Sequence, residues 1–204
     1  DDPQLESRVT FRGDHAEMWR EALATRRPEE IADAVSEPYV KAYPKLVRLG
    51  PLEVQPAEDD DALTLVQRFR LPEFWRFPEQ RVLAADLVLW NPIQALALPR
   101  MATRRDPLGL ALAGVYRHDI RVEFPEDVYR EPQNQRFEDS TDGLQMRVSF
   151  ETTSRRVDLH GEARIGTDRL EAEAWPRVTG KLARMLPRYG QVVSVSALTA
   201  AQQQ

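Results

Sequence analysis

The stretch Leu63–Trp75, with the sequence LTLVQRFRLPEFW, constrains the fold more than any other part of the chain. From Leu63 to Leu71 its odd positions are apolar except Gln67, and Arg68 and Arg70 alternate with them, which is the period-two pattern of a strand with one buried face. Pro72 cannot donate a hydrogen bond to a neighbouring strand. The sequence therefore predicts a strand that ends in a corner at this proline.

Two large aromatic residues, Phe74 and Trp75, follow the corner. Each carries a large apolar surface, so we expect other parts of the chain to bury both of them. If Trp75 is a core anchor, the substitution Trp75→Ala should lower the free energy of unfolding by about 3–5 kcal/mol. Equal urea midpoints for this variant and the wild type would instead place Trp75 on the surface and favour a binding groove.

Composition limits the partners and the chemistry of the chain. The 204 residues are 42% hydrophobic and 30% charged, which suits one domain with a substantial core. The net charge of −5, with 28 Lys and Arg interleaved with 33 Asp and Glu, argues against a nucleic-acid partner, which needs clustered positive charge. The absence of cysteine excludes disulfides, thiolate metal sites and cysteine nucleophiles. No apolar run approaches the ~20 residues that a membrane-spanning helix needs.

Hydrophobic periodicity predicts an α+β domain. Helices are expected over residues 14–26, 28–42 and 175–186, the first with Asp14 as its N-cap and Glu17 completing a capping box. Strands are expected over residues 6–12, 49–54, 62–71, 81–90, 115–124, 135–139 and 192–195. A hairpin turn at Asp142-Gly143 is expected to lead from residues 135–139 into a strand over residues 144–150, and a turn at residues 152–154 into another strand over residues 157–165. The proline-containing segment 91–114 is expected to be irregular. We therefore predict mostly antiparallel β-sheet, in one or two packed, sandwich-like sheets, with two N-terminal helices and one C-terminal helix.

The domain organisation follows from the same pattern. Residues 1–204 contain no internal repeat and no low-complexity linker. We expect a single β-rich domain, with a possible subdomain boundary in the proline-rich segment near residues 95–114.

Few residues suggest catalysis or metal binding. The three histidines, His15, His118 and His160, do not have a metal-ligand spacing such as H-E-x-x-H, and we expect no metal and no cofactor. His118 is predicted to face inward on its strand, where a hydrogen-bonded core histidine is the more common role than an acid or base. The acidic run 58–61 lacks the spacing of a calcium loop and indicates a solvated turn.

Two other kinds of site stay open. No serine nucleophile elbow and no phosphate-binding glycine loop is present, but a pair of catalytic carboxylates can lie far apart in a chain. The four tryptophans are expected to pack in the core, although they could line a ligand groove. The candidate binding residues are Phe74, Trp75, Trp90 and His118.

Several short motifs resemble one region of the large bacterial transglutaminase-like proteins. They are Tyr43-Pro44, Glu53-Val54, Asp59-Asp60, Leu71–Trp75, Leu98-Pro99-Arg100, Arg104 or Arg105 before Pro107-Leu108, and Ile120–Glu126. Those proteins combine an N-terminal β-rich domain of unknown function, a central transglutaminase-like (papain-related) domain and a further C-terminal region. Residues 5–190 of this chain are similar to that last region.

The resemblance implies a non-catalytic role. The cysteine, histidine and aspartate of the family lie in its central domain, and none of them matches a position here. The expected function is an accessory domain that packs on, positions or regulates a transglutaminase-like catalytic domain of the same parent chain, or recruits its protein substrate. The resemblance also implies a periplasmic or cell-envelope location, while the residues themselves leave a cytoplasmic one open.

Two alternative functions remain at this stage. One is an independent module that binds an envelope peptide or glycan in an apolar groove or along an exposed strand edge. The other is a carboxylate-based hydrolase, which would require two acids that converge in a cleft.

Overall fold

The computed structural model describes residues 2–56, 61–79, 82–99, 103, 105–110, 113–128 and 132–196. In these ranges the chain forms thirteen strands and four helices. This is the mostly antiparallel α+β fold that the sequence predicts. The possible boundary near residues 95–114 stays a prediction.

The elements have the following order along the chain. They are β1 (Gln4–Arg12), α1 (Asp14–Thr25), α2 (Pro28–Ala42), β2 (Val47–Arg48), β3 (Glu53–Pro56), β4 (Ala62–Arg70), β5 (Arg76–Glu79), β6 (Val82–Val88), α3 (Trp90–Ala95), β7 (Leu108–Gly109), β8 (Gly114–Glu123), β9 (Gln133–Thr141), β10 (Leu144–Thr152), β11 (Arg156–Ile165), β12 (Arg169–Leu170), α4 (Trp175–Met185) and β13 (Gly190–Ser196).

One large antiparallel sheet dominates the fold. Its strand order is β2-β4-β1-β8-β11-β10-β9, and β3 also pairs with β4. β1 therefore lies between β4, the strand that leads into the corner, and β8, which continues into the other half of the sheet. A second sheet has the order β13-β6-β5, and β12 pairs with β7 in a third.

The large sheet has an apolar inner face and a polar outer face. In β10, the side chains of Leu144, Met146, Val148 and Phe150 are buried, whereas those between them are more exposed. In β4 the predicted alternation is present only at the end of the strand, where Phe69 is buried and Arg70 is exposed, whereas residues 62–67 are all buried. Along the outer face, arginines and acids on neighbouring strands form ion pairs, such as Arg68–Glu6, Arg121–Asp158 and Arg117–Glu162.

Helices and the second sheet cover the inner face. One apolar cluster lies under α1 and α2 and contains Val9, Phe11, Ala16, Ile31, Val35, Leu63 and Leu65. A larger cluster joins the rest of the large sheet with β6, β13 and α4, through residues such as Leu87, Val193, Val178 and Leu182. None of the helices in the described ranges is long and apolar enough to cross a membrane.

Two local predictions about helices were wrong. Helix α1 begins at Asp14 itself, and the residue before it is Gly13, which has a φ of 59° and leaves the helix without a side-chain cap. Glycine suits this position because it adopts positive φ without a steric penalty. Helix α3 starts at Trp90, inside the stretch predicted as strand and irregular chain. Pro92 is compatible with it, because a first-turn residue has no partner for its N–H within the helix.

The strand predictions near the start of the sheet also needed correction. Of the strand predicted over residues 49–54, only residues 53 and 54 are strand, at the start of β3, while β2 ends at Arg48. Residues 58–60 of the acidic run lie outside the described ranges.

Phe74, and not Trp75, is the aromatic core anchor of the corner. Phe74 is 2% exposed and belongs to the larger apolar cluster, whereas Trp75 is partly exposed at its edge. The residue before them, Glu73, has a φ of 57°, which is uncommon for a residue with a side chain. This turn directs two consecutive aromatic rings to different environments.

We predict that the two aromatic residues contribute unequally to stability. Phe74→Ala should lower the free energy of unfolding by about 3–5 kcal/mol, because it empties a buried volume that neighbouring residues cannot fill. Trp75→Ala should cost less, about 1–2 kcal/mol, because part of the ring is already in contact with solvent. Urea unfolding of both variants measures the difference, and equal losses would contradict the assignment.

Candidate functional site

A groove of about 670 Å³ opens where the corner after β4 meets the chain that leaves β8. We call it the aromatic groove. It is lined by Asp2, Pro3, Leu71, Glu73, Phe74, Trp75, Phe124, Pro125, Glu126 and Val128. Its volume lies in the range of natural ligand sites, and its wall is mainly apolar.

Three aromatic rings in mutual contact, those of Phe74, Trp75 and Phe124, line the groove. The Trp75 and Phe124 ring centroids are 5.4 Å apart with an angle of 22° between the ring planes. Phe74 meets Trp75 edge to face at 4.8 Å, and Tyr43 stacks on the other side of Phe74 at 5.6 Å. Trp75 is therefore held by two buried rings while part of its own surface stays exposed.

Backbone hydrogen bonds fix both sides of the groove. On one side, the Leu71 N–H donates to the Pro3 carbonyl at 3.0 Å, which joins the N-terminal residues to the corner. On the other, the turn between β10 and β11 holds the chain after β8: Phe124 N–H donates to the Arg155 carbonyl at 2.9 Å, and Val128 N–H to the Ser154 carbonyl at 2.8 Å. The groove is thus a preformed feature at the ends of the neighbouring strands β4, β1 and β8.

The rim of the groove carries three carboxylates. Asp2 accepts from Arg70 at 3.2 Å, and Glu73 accepts from Lys45 at 2.5 Å, so their charges are partly balanced. Glu126 forms no ion pair with any residue in the described ranges. Among its lining residues the groove has acids but no base. It therefore presents an apolar floor and a negative rim.

Trp90 and His118, the other two predicted binding residues, lie together at a different place. Their ring centroids are 5.5 Å apart beneath α2, and neither lines the aromatic groove. His118 is fully buried, as its position on the inner face predicted. The structure thus brings Phe74 and Trp75 into one site and separates them from the Trp90–His118 pair.

His118 belongs to a buried polar cluster with Ser7 and Tyr39. Its Nε2 atom lies 3.2 Å from Ser7 Oγ and 2.5 Å from Tyr39 Oη, and the two hydroxyls also contact each other. The three residues come from β8, β1 and α2, and each is at most 4% exposed. The sequence offered one signal for this cluster, because Ser7 interrupts the apolar row of Leu5, Val9 and Phe11.

The electrostatics of the cluster favour neutral side chains. Burial lowers the pKa of His118 to about 3. Burial also raises the pKa of Tyr39 well above its ordinary value, with a smaller opposing effect from the neighbouring Ser7 and Trp90. A histidine with such a low pKa is a weak base, and Ser7 is closed off from solvent. The cluster therefore fits a packing role better than a nucleophilic one.

A second concavity, of about 320 Å³, lies above this cluster between α2 and β6. Tyr39, Tyr43 and Trp90 line it together with apolar side chains and with Lys41 and Asp86. The indole Nε1 of Trp90 is buried without an acceptor at hydrogen-bonding distance and angle, although the ring is close enough to affect the pKa of Tyr39. This concavity is smaller than the aromatic groove.

The remaining titratable residues lie mostly at the surface. His160 is on the outer face, as predicted, where its Nδ1 contacts Asp119. Glu162 is the one acid among the buried polar residues of the described ranges, and burial opposes its ionisation while its ion pair with Arg117 lowers its pKa overall. Within the part of the chain that the structure describes, no group of three or more His, Asp or Glu residues could hold a metal ion.

Comparisons with protein-family models, curated proteins and solved structures give no match for this chain.

We predict that His118 makes the stability pH-dependent. Its folded-state pKa lies below the ordinary value of 6.5, so the unfolded chain binds the proton more readily and acid favours unfolding. Between about pH 6.5 and pH 5, above the titration of most carboxylates, His118 should contribute a loss of up to about 1.4 kcal/mol per pH unit.

Urea unfolding at several pH values, for the wild type and His118→Gln, isolates this contribution. His15, whose pKa burial also lowers, is present in both proteins and cancels in the difference. Parallel pH profiles for the two proteins would show that His118 is not buried in its neutral form.

Proposed function

We propose that this chain is a non-catalytic accessory domain whose aromatic groove binds a protein partner. The observation that carries the proposal is the partly exposed Trp75 ring, held by Phe74 and Phe124 inside a preformed groove with a negative rim. Exposed aromatic residues on a rigid support are the common anchors of protein interfaces. The groove is suited to bind a segment with an apolar or proline side chain next to a basic one.

The transglutaminase-like catalytic domain of the same parent chain is the partner that we propose. The resemblance of the corner motif to that family supports this choice, and the same motif, Leu71–Trp75, forms a wall of the groove. Asp2 and Pro3 form part of the opposite boundary. A domain joined to the N-terminal side would therefore be tethered close to the groove, and a short tether raises the effective concentration of the partner.

The charge of the rim adds specificity to this docking. Glu126 has no ion-pair partner among the described residues. Asp2 and Glu73, in contrast, are already paired with Arg70 and Lys45. A basic residue on the partner would pair with Glu126 at the edge of the contact. Rim charges of this kind affect the association rate and the salt dependence more than the total affinity.

An independent peptide- or glycan-binding module is the second candidate. The exposed face of Trp75 favours it, because an aromatic ring on a fixed support can also receive a ligand that does not belong to the parent chain. A carboxylate-based hydrolase has less support. The acids at the groove lie on its rim, and the described part of the chain shows no pair that converges on the apolar floor.

Calorimetric titration of this domain into the separately expressed catalytic domain tests the proposal. We expect saturable binding that Trp75→Ala weakens by at least 2 kcal/mol, about thirtyfold, as is usual for an interface anchor. Glu126→Lys should weaken it less and reduce its salt dependence. Glu151→Lys, which reverses an exposed acid on β10 that does not line the groove, is the matched control and should bind as the wild type.

Two outcomes would contradict this assignment. If the wild-type domain gives no heat and does not co-elute with the catalytic domain, the docking proposal is wrong and envelope peptides and glycans become the ligands to test. If the wild type binds and the Trp75→Ala variant binds equally well, the groove is not the contact surface. Urea unfolding of the variant shows that it is folded in this comparison.

A further inference from the structure

The strand β9 is an unpaired edge of the large sheet among the described residues. It is nine residues long and pairs with β10 on one side alone. A two-residue turn at Asp142-Gly143 joins the two strands, so the closing pair Thr141–Leu144 is a hydrogen-bonded pair. Hydrogen-bonded and non-hydrogen-bonded pairs alternate along the two strands. The backbone N–H and C=O groups of residues 133, 135, 137 and 139 therefore bond to β10, whereas those of residues 134, 136, 138 and 140 point away from it.

Only one end of this edge is blocked. The Lys181 ammonium group donates to the Ser140 carbonyl at 2.6 Å, and the Ser140 N–H donates to Asp139 Oδ1 at 2.8 Å. The backbone groups of Asn134, Arg136 and Glu138 have no partner among the described residues. Part of β9 therefore offers a template for one more antiparallel strand.

The charges of the β9 side chains indicate which strand is complementary to this edge. Arg136 and Glu138 lie on the outer face on either side of Phe137, and Arg136 has no ion pair in the described ranges. If a second β9 runs antiparallel with Phe137 on the two-fold axis, Arg136 of each copy lies opposite Glu138 of the other. Their outward-directed N–H and C=O groups then form hydrogen-bonded pairs, and the opposite charges meet across the strands.

The neighbouring register is disfavoured by the same side chains. Shifting the axis to Arg136 would place the two Arg136 side chains directly opposite each other, and like charges in that position are unfavourable. In the favoured register, Glu138 lies between Arg136 of the other copy and Arg147 of its own β10, which already donates to it at 2.9 Å. Charge thus selects one register.

We propose that a second copy of this chain binds through β9, joining two large sheets into one across a two-fold axis. The association should be weak, because the contact involves few residues and falls below about 1,200 Å² of buried surface. Arg188 lies 4.2 Å above the Phe137 ring, so two cations also approach the axis. This inference does not depend on the proposed function of the aromatic groove.

Charge reversal on β9 provides a sharp test. Sedimentation equilibrium of the wild type, at concentrations up to about 1 mM, should show a monomer–dimer equilibrium. Arg136→Glu and Glu138→Arg each place like charges opposite one another, so each variant alone should dimerise at least tenfold more weakly. An equimolar mixture of the two variants restores both opposite-charge pairs, and it should form the heterodimer at near wild-type strength.

A matched variant and an amide measurement complete the design. Arg164→Glu reverses an exposed arginine on the central strand β11 and should leave dimerisation unchanged. In hydrogen exchange, the amides of Arg136 and Glu138 should gain protection as the concentration rises, whereas the Phe137 amide is protected throughout. A wild type that stays monomeric, variants that dimerise like it, or a mixture that fails to associate would each overturn the proposal.

Discussion

Burial of one face of the large sheet is the constraint on which the rest of the structure depends. Successive side chains of a strand point to opposite faces, so a sheet with one apolar face must be covered on that side. Two helices cover the part near β1 and β4, and the second sheet with α4 covers the part near β10 and β11. The outer face needs no cover, because ion pairs between neighbouring strands occupy it. The groove and the β9 edge are therefore found at the borders of the sheet, where the covering layer ends.

Sequence periodicity was sufficient where one physical signal dominated. The strict alternation in β8 and β10 predicted both the strands and their buried residues, including His118. Periodicity did not predict the structure where two sequence signals favoured different conformations. At Trp90 the apolar run of β6 continues into α3, and a six-residue helix is too short to show a 3.6-residue period. At Asp14 a capping residue occurs in the expected sequence context, but Gly13 turns the chain and leaves Asp14 inside the helix.

The candidate site could be predicted only in part, because its walls meet through tertiary pairing. The corner motif identified Phe74 and Trp75, but Phe124 reaches them only because β1 places β4 and β8 two strands apart. Nothing in the local sequence gives that spacing. The prediction that both aromatic residues are buried was wrong for Trp75, since a positive φ at Glu73 directs two adjacent side chains to different environments. An uncommon backbone conformation at such a position is a frequent feature of binding sites.

The polar cluster beneath α2 affects the packing of the helix, whereas the aromatic groove is a candidate binding site. A buried Ser7–Tyr39–His118 contact adds less stability than apolar side chains of similar volume could, because each polar group must first lose its water. It does restrict how α2 can pack, since sliding the helix by one turn would separate the buried Tyr39 hydroxyl from both of its partners. The cluster thus fixes the position of α2 on β1 and β8. Because Tyr43, at the end of that helix, stacks on Phe74, the same restriction reaches the floor of the aromatic groove.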